Sequence, residues 1–219
     1  MAARESGMRL LGRVGLLCLI AGLVDAYAYV SLGHIFAANM TGNTVLLAVN
    51  AVRGGGKTRD FIVTLGAFAL GTIVGSGLKR ATGRAYAPLL LGALLLIAAA
   101  TVPLSRLPML AMLAATMGLQ AATVSQFGPT SIQTVVITTP IARLAEGLID
   151  LAWPRRGRSA ERSGEAQGLH GIAWGAYALG AACAAAVTGF WSTTLVLLLP
   201  AALTLLAAAE LGIGRPRSG

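Results

Sequence analysis

The chain has 219 residues, of which 56% are hydrophobic and only 11% are charged, and its mean hydropathy is +0.75. A soluble domain carries roughly 25% charged residues, so this composition excludes a soluble enzyme, a disordered chain and a disulfide-built secreted domain. The net charge of +9 indicates cytoplasmic loops that retain Lys and Arg rather than a nucleic-acid partner, and the sequence therefore predicts an all-α integral membrane protein in a lipid bilayer.

Six apolar stretches are long enough to cross, or nearly cross, a bilayer, which needs about 20 apolar residues per helix. They are residues 10–30, 61–78, 86–102, 107–127, 169–190 and 192–213. Two further stretches, residues 36–52 and 131–153, are apolar but carry polar clusters in their first halves. The sequence therefore predicts six to eight transmembrane helices.

The first stretch contains one acidic residue, Asp25. An ionised carboxylate inside a bilayer costs roughly 2.5–3.5 kcal/mol on insertion scales, so it persists where it faces a cavity, a partner or an exchangeable proton. Asp25 is therefore a candidate proton or cation site, and the alternative is that it lies solvated near the outer end of the helix. A cleaved signal peptide ending near Ala28 is a second alternative, which Asp25 beside the cleavage position disfavours.

The segment that follows is the most unusual in the chain, because four hydrogen-bonding side chains fall within six residues. They are Asn39, Thr41, Asn43 and Thr44, and Gly42 among them permits a helix break or a close backbone approach. One interpretation is a substrate or ion contact at a discontinuous helix, and the other is hydrogen bonding that holds neighbouring helices together. We favour the first, because packing contacts rarely need so many polar groups in one short stretch.

Two short motifs occur twice. Residues 65–71 reappear as residues 174–180 with five identities in seven and a Phe-to-Tyr exchange, at a spacing of 109, and residues 22–23 reappear as residues 118–119, at a spacing of 96. The Thr41 motif falls near Thr138 and Thr139 at a similar spacing, so the order is preserved. The repeats predict a duplication.

The predicted duplication divides a single membrane domain into two halves, residues 1–104 and 105–219. Duplicated halves are common in membrane transporters, where the binding site lies at the repeat interface, although channels, chaperones and assembly factors can share this plan. Gln120, in the second half, is a further candidate for lining such a site.

Charge placement allows two topologies, and both put the two termini in the cytoplasm. If both uncertain stretches cross the membrane, there are eight helices in parallel halves. If neither crosses, there are six helices in inverted halves. The basic residues left outside are Lys79, Arg80 and Arg84 in the first arrangement and Arg53, Lys57, Arg59 and Arg106 in the second.

Catalytic patterns are missing from the sequence. It has no Cys/His metal spacing, no complete phosphate loop and no nucleophile with a base. We therefore predict no enzyme activity, no metal site and no cofactor.

Two motifs resemble those of the YoaK family of bacterial membrane proteins, also called the DUF1275 family. They are Gly-Leu-Val-Asp-Ala at residues 22–26 and Phe-Ala-Ala-Asn-Met-Thr-Gly-Asn-Thr at residues 36–44. In the second half, residues 117–120 agree with the family's Met-Gly-x-Gln, but Ala121 replaces an Asn and Thr139-Pro140 stands where Thr-Gly is expected. The resemblance implies a small multi-pass protein of the bacterial cytoplasmic membrane.

The sequence thus favours a bacterial inner-membrane protein that binds and moves a small molecule or ion, and it leaves open whether Asp25 couples this movement to protons. The alternative is a non-transporting membrane scaffold or interaction protein, in which the polar motif serves helix packing. A homo-oligomer is compatible with either function. The candidate substrate- or ion-binding residues are Asp25, Asn39, Thr41, Gly42, Asn43, Thr44 and Gln120.

Overall fold

The computed structural model describes residues 2–124 and 160–213 of the chain. Within these two ranges the chain forms seven α-helices, and the only β pairing is an isolated bridge between Thr188 and Trp191. The helices are α1 (Ala2–Ser31), α2 (Met40–Arg53), α3 (Thr58–Thr82), α4 (Ala87–Thr101), α5 (Arg106–Val124), α6 (Ala160–Val187) and α7 (Thr193–Ile213). The prediction of an all-α chain is confirmed for the described residues.

The six apolar stretches predicted from the sequence correspond to α1, α3, α4, α5, α6 and α7. Glycines in the left-handed conformation end several helices, because they tolerate positive φ without a Cβ clash. Gly54 (φ 69°) follows α2, Gly83 (φ 64°) follows α3, and Gly189 (φ 108°) lies in the turn between α6 and α7.

The two uncertain stretches have different outcomes. Of the first, residues 36–39 are not helical and the rest lies in the 14-residue helix α2. At 1.5 Å per residue α2 is about 21 Å long, shorter than a 30 Å hydrocarbon core. Residues 131–153, with the Thr138 and Thr139 counterpart of the polar motif, lie outside the described residues.

Four helical segments of the described chain are long and apolar enough to cross a membrane. They are Arg9–Ser31, Thr58–Thr82, Gly168–Val187 and Thr193–Gly212. Helix α4 is equally apolar but has only 15 residues. Length and composition thus support a membrane protein.

Helices α3 and α5 run in the same direction between two ends of the bundle. At one end, here called the Asp60 end, Arg106 at the start of α5 forms an ion pair with Asp60 in the first turn of α3. At the opposite end, here called the Lys79 end, Lys79 Nζ in the last turn of α3 donates to the carbonyl oxygen of Ala122 at 2.6 Å. Helix α4 connects the Lys79 end of α3 to the Asp60 end of α5.

Helix α1 finishes at the Asp60 end, since Lys57 Nζ donates to the carbonyl oxygen of Gly33, just beyond α1, at 2.9 Å. Helix α7 is antiparallel to α1. Its first residue, Thr193, accepts a hydrogen bond from the Tyr27 hydroxyl at 3.3 Å, while Glu210 near its end accepts one from Arg13 through its carbonyl oxygen at 3.0 Å.

Helix α1 packs along α6 through two glycines. A Cβ on Gly22 would overlap the carbonyl oxygen of Tyr177, and a Cβ on Gly180 would overlap the carbonyl oxygen of Leu19. A Cβ on Gly15, earlier in α1, would lie 3.1 Å from the side chain of Ile172, earlier in α6, so residue number increases in the same direction along both helices and they are parallel. Lipid tails are as apolar as leucine, so helices in a membrane gain from close backbone packing between small residues.

Helices α3 and α5 make a second parallel contact of the same kind. A Cβ on Gly118 would overlap the carbonyl oxygen of Phe68, and a Cβ on Gly71 would overlap the carbonyl oxygen of Ala115. Gly75, one turn further along α3, also faces α5. Gly71 and Gly75 thus allow close packing between α3 and α5.

Helix α1 is the interior helix of the bundle. Its candidate span is 67% buried by the rest of the protein, against 22% for the spans of α3 and of α6. Large apolar side chains such as Leu70, Ile73 and Leu179 cover the outward faces of α3 and α6. A polar residue on the inward face of α1 is therefore shielded from lipid by protein.

Candidate functional site

Asp25 lies inside the bundle, in the second half of α1. Only 1% of its surface is exposed. It precedes the end of α1 at Ser31 by six residues, or about 9 Å along the helix axis. The alternative that Asp25 is solvated at the interface is not what the structure shows.

The Asp25 carboxylate joins three parts of the chain. Its Oδ1 accepts a hydrogen bond from the backbone N–H of Ala38 at 2.5 Å, and its Oδ2 accepts one from the Tyr177 hydroxyl of α6 at 2.6 Å. The backbone N–H groups of Ala37 and Asn39 also face this carboxylate. Asp25 therefore links α1 to α6 and to the segment between α1 and α2.

That segment, residues 32–39, is here called the re-entrant segment because it turns back beside α1 to the level of Asp25. Two consecutive residues with positive φ, Gly33 (91°) and His34 (64°), reverse the chain direction. Phe36 then stacks on Tyr29 of α1 with ring centroids 4.9 Å apart. Helix α2 consequently begins inside the bundle, next to the carboxylate.

Local hydrogen bonds hold the first turn of α2. The Asn39 side chain caps the helix, its Oδ1 accepting from the N–H of Gly42 at 3.1 Å and from the hydroxyl of Thr41 at 3.0 Å. The Thr44 hydroxyl donates to the carbonyl oxygen of Met40 at 2.8 Å. A helix start leaves four N–H groups without partners, and an asparagine at the cap satisfies one of them.

Asn43 ties α2 to the re-entrant segment. Its side chain is fully buried, and both of its polar ends contact Phe36: Nδ2 donates to the carbonyl oxygen at 2.7 Å and Oδ1 accepts from the N–H at 3.0 Å. The polar motif therefore shapes the loop that presents its N–H groups to Asp25. Five of the predicted site residues lie within this one structure: Asn39, Thr41, Gly42, Asn43 and Thr44.

Gln120 is separate from this cluster. Its Nε2 donates to the carbonyl oxygen of Leu17 on α1 at 2.8 Å, and Leu17 lies eight residues, or about 12 Å, before Asp25. The side chain is 2% exposed, and its Oε1 has no hydrogen-bond partner among the described residues.

Tyr177 is the site residue that the sequence prediction missed. It lies 152 residues from Asp25 along the chain. The repeated motif contains the relevant difference, since Tyr177 stands where the first copy has Phe68. In the sequence this is a conservative exchange of aromatic residues, and its importance depends on the hydrogen-bond partner of the hydroxyl.

Substituting Asn43 by alanine is expected to destabilise the protein, because the backbone N–H and C=O groups of Phe36 lose their side-chain partners. Unsatisfied buried polar groups cost about 1–3 kcal/mol each, so the melting temperature in detergent should fall clearly. Thr44→Ala is the matched control, since it removes one hydroxyl from an exposed position in the same turn. Equal melting temperatures for the two variants would contradict this role of Asn43.

Comparison with known proteins identifies the family. The family model described as "Protein of unknown function (DUF1275)" matches residues 14–209. The UPF0700 transmembrane protein YoaK of Bacillus subtilis (strain 168) is 64% identical over 36 residues, which is 16% of this chain and 16% of YoaK. No solved structure matches the chain. Because the family model covers most of the sequence, including Asp25, the polar motif and Tyr177, the chain belongs to the DUF1275 family, as its motifs predicted.

Proposed function

We propose that this protein carries a small solute across the bacterial cytoplasmic membrane and that Asp25 exchanges a proton during the cycle. The observation that carries the proposal is a buried carboxylate shared by two helices and a re-entrant segment. Ionisable groups held inside a membrane protein mark substrate and proton pathways. Helices that begin within the bundle, as α2 does, often contribute to binding sites in transporters.

The chemistry around Asp25 favours a proton as the coupling ion. Its described hydrogen-bond partners are N–H groups of the re-entrant segment and the Tyr177 hydroxyl, which donate to the carboxylate. A hard metal cation is held by several oxygen ligands that converge on it, whereas a proton needs one carboxylate oxygen. These partners are hydrogen-bond donors rather than further carboxylate or carbonyl oxygens, which does not fit a hard metal cation. Protonation of Asp25 would require the Tyr177 hydroxyl to turn and accept, because donors stabilise the ionised carboxylate.

We further infer six spans with both termini in the cytoplasm. The contact between Lys57 and Gly33 supports this arrangement, because it joins the loop after α2 to the loop before it. Residues 32–53 would then enter the bundle and return to the Asp60 end without crossing. The Asp60 end is external in this topology, and the basic residues expected outside are Arg53, Lys57, Arg59 and Arg106.

The two glycine-packed helix pairs support a duplication with inverted halves. Helix α1 corresponds to α5 at the spacing of 96, and helix α3 corresponds to α6 at the spacing of 109. The residues of the α1 and α6 contact therefore have counterparts in the α5 and α3 contact. The corresponding pairs are Leu19 and Ala115, Gly22 and Gly118, Phe68 and Tyr177, and Gly71 and Gly180. Helices α1 and α5 run in opposite directions, as inverted repeats require.

Transport is tested with purified protein in liposomes that contain a pH-sensitive dye. Adding solutes from a broad panel should cause proton movement with the wild-type protein, and Asp25→Asn should abolish it. Glu210→Gln is the matched control, since Glu210 is an exposed carboxylate of another membrane-spanning helix, α7. The proposal fails if the wild-type protein moves neither solute nor protons and Asp25→Asn has no effect in cells.

A non-transporting scaffold is the second candidate, and the local hydrogen bonds of the polar motif favour it. Asn39 and Asn43 direct their side chains to their own loop and helix start, as residues with a purely structural role would. In a scaffold, Asp25 would serve as one more acceptor for this loop. Asp25→Asn would then lower the yield of folded protein and leave no separate functional defect.

A further inference from the structure

We infer that Tyr177 is a positioning residue for Asp25 and that only one of the two glycine-packed helix pairs carries a polar site. The inference deepens the proposed function, on which its transport readout rests. It follows from comparing the α1 and α6 pair with the α3 and α5 pair, residue by residue.

The two pairs share their backbone geometry. The Cβ on Gly22 that would overlap Tyr177 would also lie 2.9 Å from the amide nitrogen of Ala181. The Cβ on Gly118 would meet Phe68 in the same way and lie 2.8 Å from the amide nitrogen of Thr72. Thr72 and Ala181 are again separated by 109 positions.

The side chains at the depth of Asp25 differ between the two pairs. At the spacings of 96 and 109, Asp25 corresponds to Ala121 and Tyr177 corresponds to Phe68. A carboxylate and a phenol thus occupy one pair where a methyl group and a phenyl ring occupy the other. Since the α3 and α5 pair packs equally closely without these polar groups, the carboxylate and hydroxyl are not needed to bring such helices together.

The Tyr177 hydroxyl therefore has a task other than packing. Its one described hydrogen bond is to Asp25 Oδ2, at 2.6 Å, while Oδ1 is held by the N–H of Ala38. Two donors on opposite oxygens fix the orientation of a carboxylate. Tyr177 thereby orients the carboxylate from α6 and makes that helix sensitive to the charge on Asp25.

Infrared spectroscopy of the full-length protein in detergent tests this role without any transport assay. The carboxyl bands of Asp25 are identified as those lost in Asp25→Asn. We expect Tyr177→Phe to shift these bands and to lower the melting temperature, because the buried Oδ2 of Asp25 loses a donor. The variant should still fold, because it places at position 177 the residue found at the corresponding position 68. Phe68→Tyr is the matched control and should leave the Asp25 bands unchanged.

Unchanged Asp25 bands in Tyr177→Phe would overturn the inference. Failure of Tyr177→Phe to fold would overturn it too, because the hydroxyl would then belong to the packing. In liposomes, Tyr177→Phe should lower proton-coupled flux roughly tenfold or more, as expected for losing a hydrogen bond to a charged group, and Phe68→Tyr should not. A shifted band with no flux in the wild type would reject the proposed transport and leave the positioning role intact.

Discussion

Replacing Gly22 by valine is expected to abolish the accumulation of folded protein. The added Cβ would overlap the carbonyl oxygen of Tyr177, and a backbone carbonyl inside a helix cannot rotate away as a side chain can. Overpacking typically costs about 1–3 kcal/mol and occasionally more, and we expect the upper end here because the backbone must move. The measurement is the yield of monodisperse protein after detergent extraction, together with its melting temperature.

Gly12→Val is the matched control, because Gly12 lies on the same helix and a Cβ added there would meet no atom within 4 Å. The second pair allows a parallel experiment in which Gly118→Val should resemble Gly22→Val. Gly66→Val should be harmless, since Gly66 on α3 also has open space beside it. Wild-type stability in Gly22→Val would mean that α1 and α6 do not approach so closely.

A cysteine introduced at position 56 is expected to react with a membrane-impermeant thiol reagent on intact cells. Position 56 is chosen because Gly56 is exposed and a Cβ added there would meet no atom within 4 Å. The neighbouring positions are less suitable, since Gly54 has a φ of 69° and a Cβ on Gly55 would clash with Asn50. The background carries Cys183→Ala, because Cys183 is exposed, and keeps the buried Cys18. Labelling before lysis is expected from the proposed six-span topology, in which the Asp60 end is external.

Ala81→Cys is the control at the other end of α3, since Ala81 is exposed near the Lys79 end. This cysteine should stay protected until the cells are lysed. Protection of position 56 with labelling of position 81 would reverse the proposed orientation. Equal behaviour of the two positions would show that α3 does not cross the membrane.

The main helices were predictable because membrane spans need long apolar runs, and six such runs are visible in the sequence. The path of residues 36–52 was not predictable, because apolar composition is the same for a helix that crosses the membrane and for one that enters and returns, as we propose. The contact that supports the proposed return, between Lys57 and Gly33, joins residues 24 positions apart through a backbone carbonyl. Backbone acceptors carry no sequence signature.

The candidate site was found only in part for a related reason. Asp25 and the Asn39 to Thr44 motif are conspicuous, since polar residues are rare in an apolar chain. The contact between the motif and Asp25 cannot be recognised in the sequence, because it is made by a backbone group, the N–H of Ala38. The grouping of Gln120 with these residues stays a prediction without support from contact, since its hydrogen bond is to Leu17.

The pairing of α1 with α6 has a consequence for biosynthesis in the membrane. Asp25 and Tyr177 are 152 residues apart, and at a synthesis rate of roughly 5–20 residues per second this separation takes roughly 8–30 s to translate. Throughout that interval α1 resides in the bilayer with its glycine face and its carboxylate uncovered by α6. The surroundings of Asp25 are thus completed only after α6 has been made, and a nascent chain truncated before α6 leaves Asp25 without its hydroxyl partner.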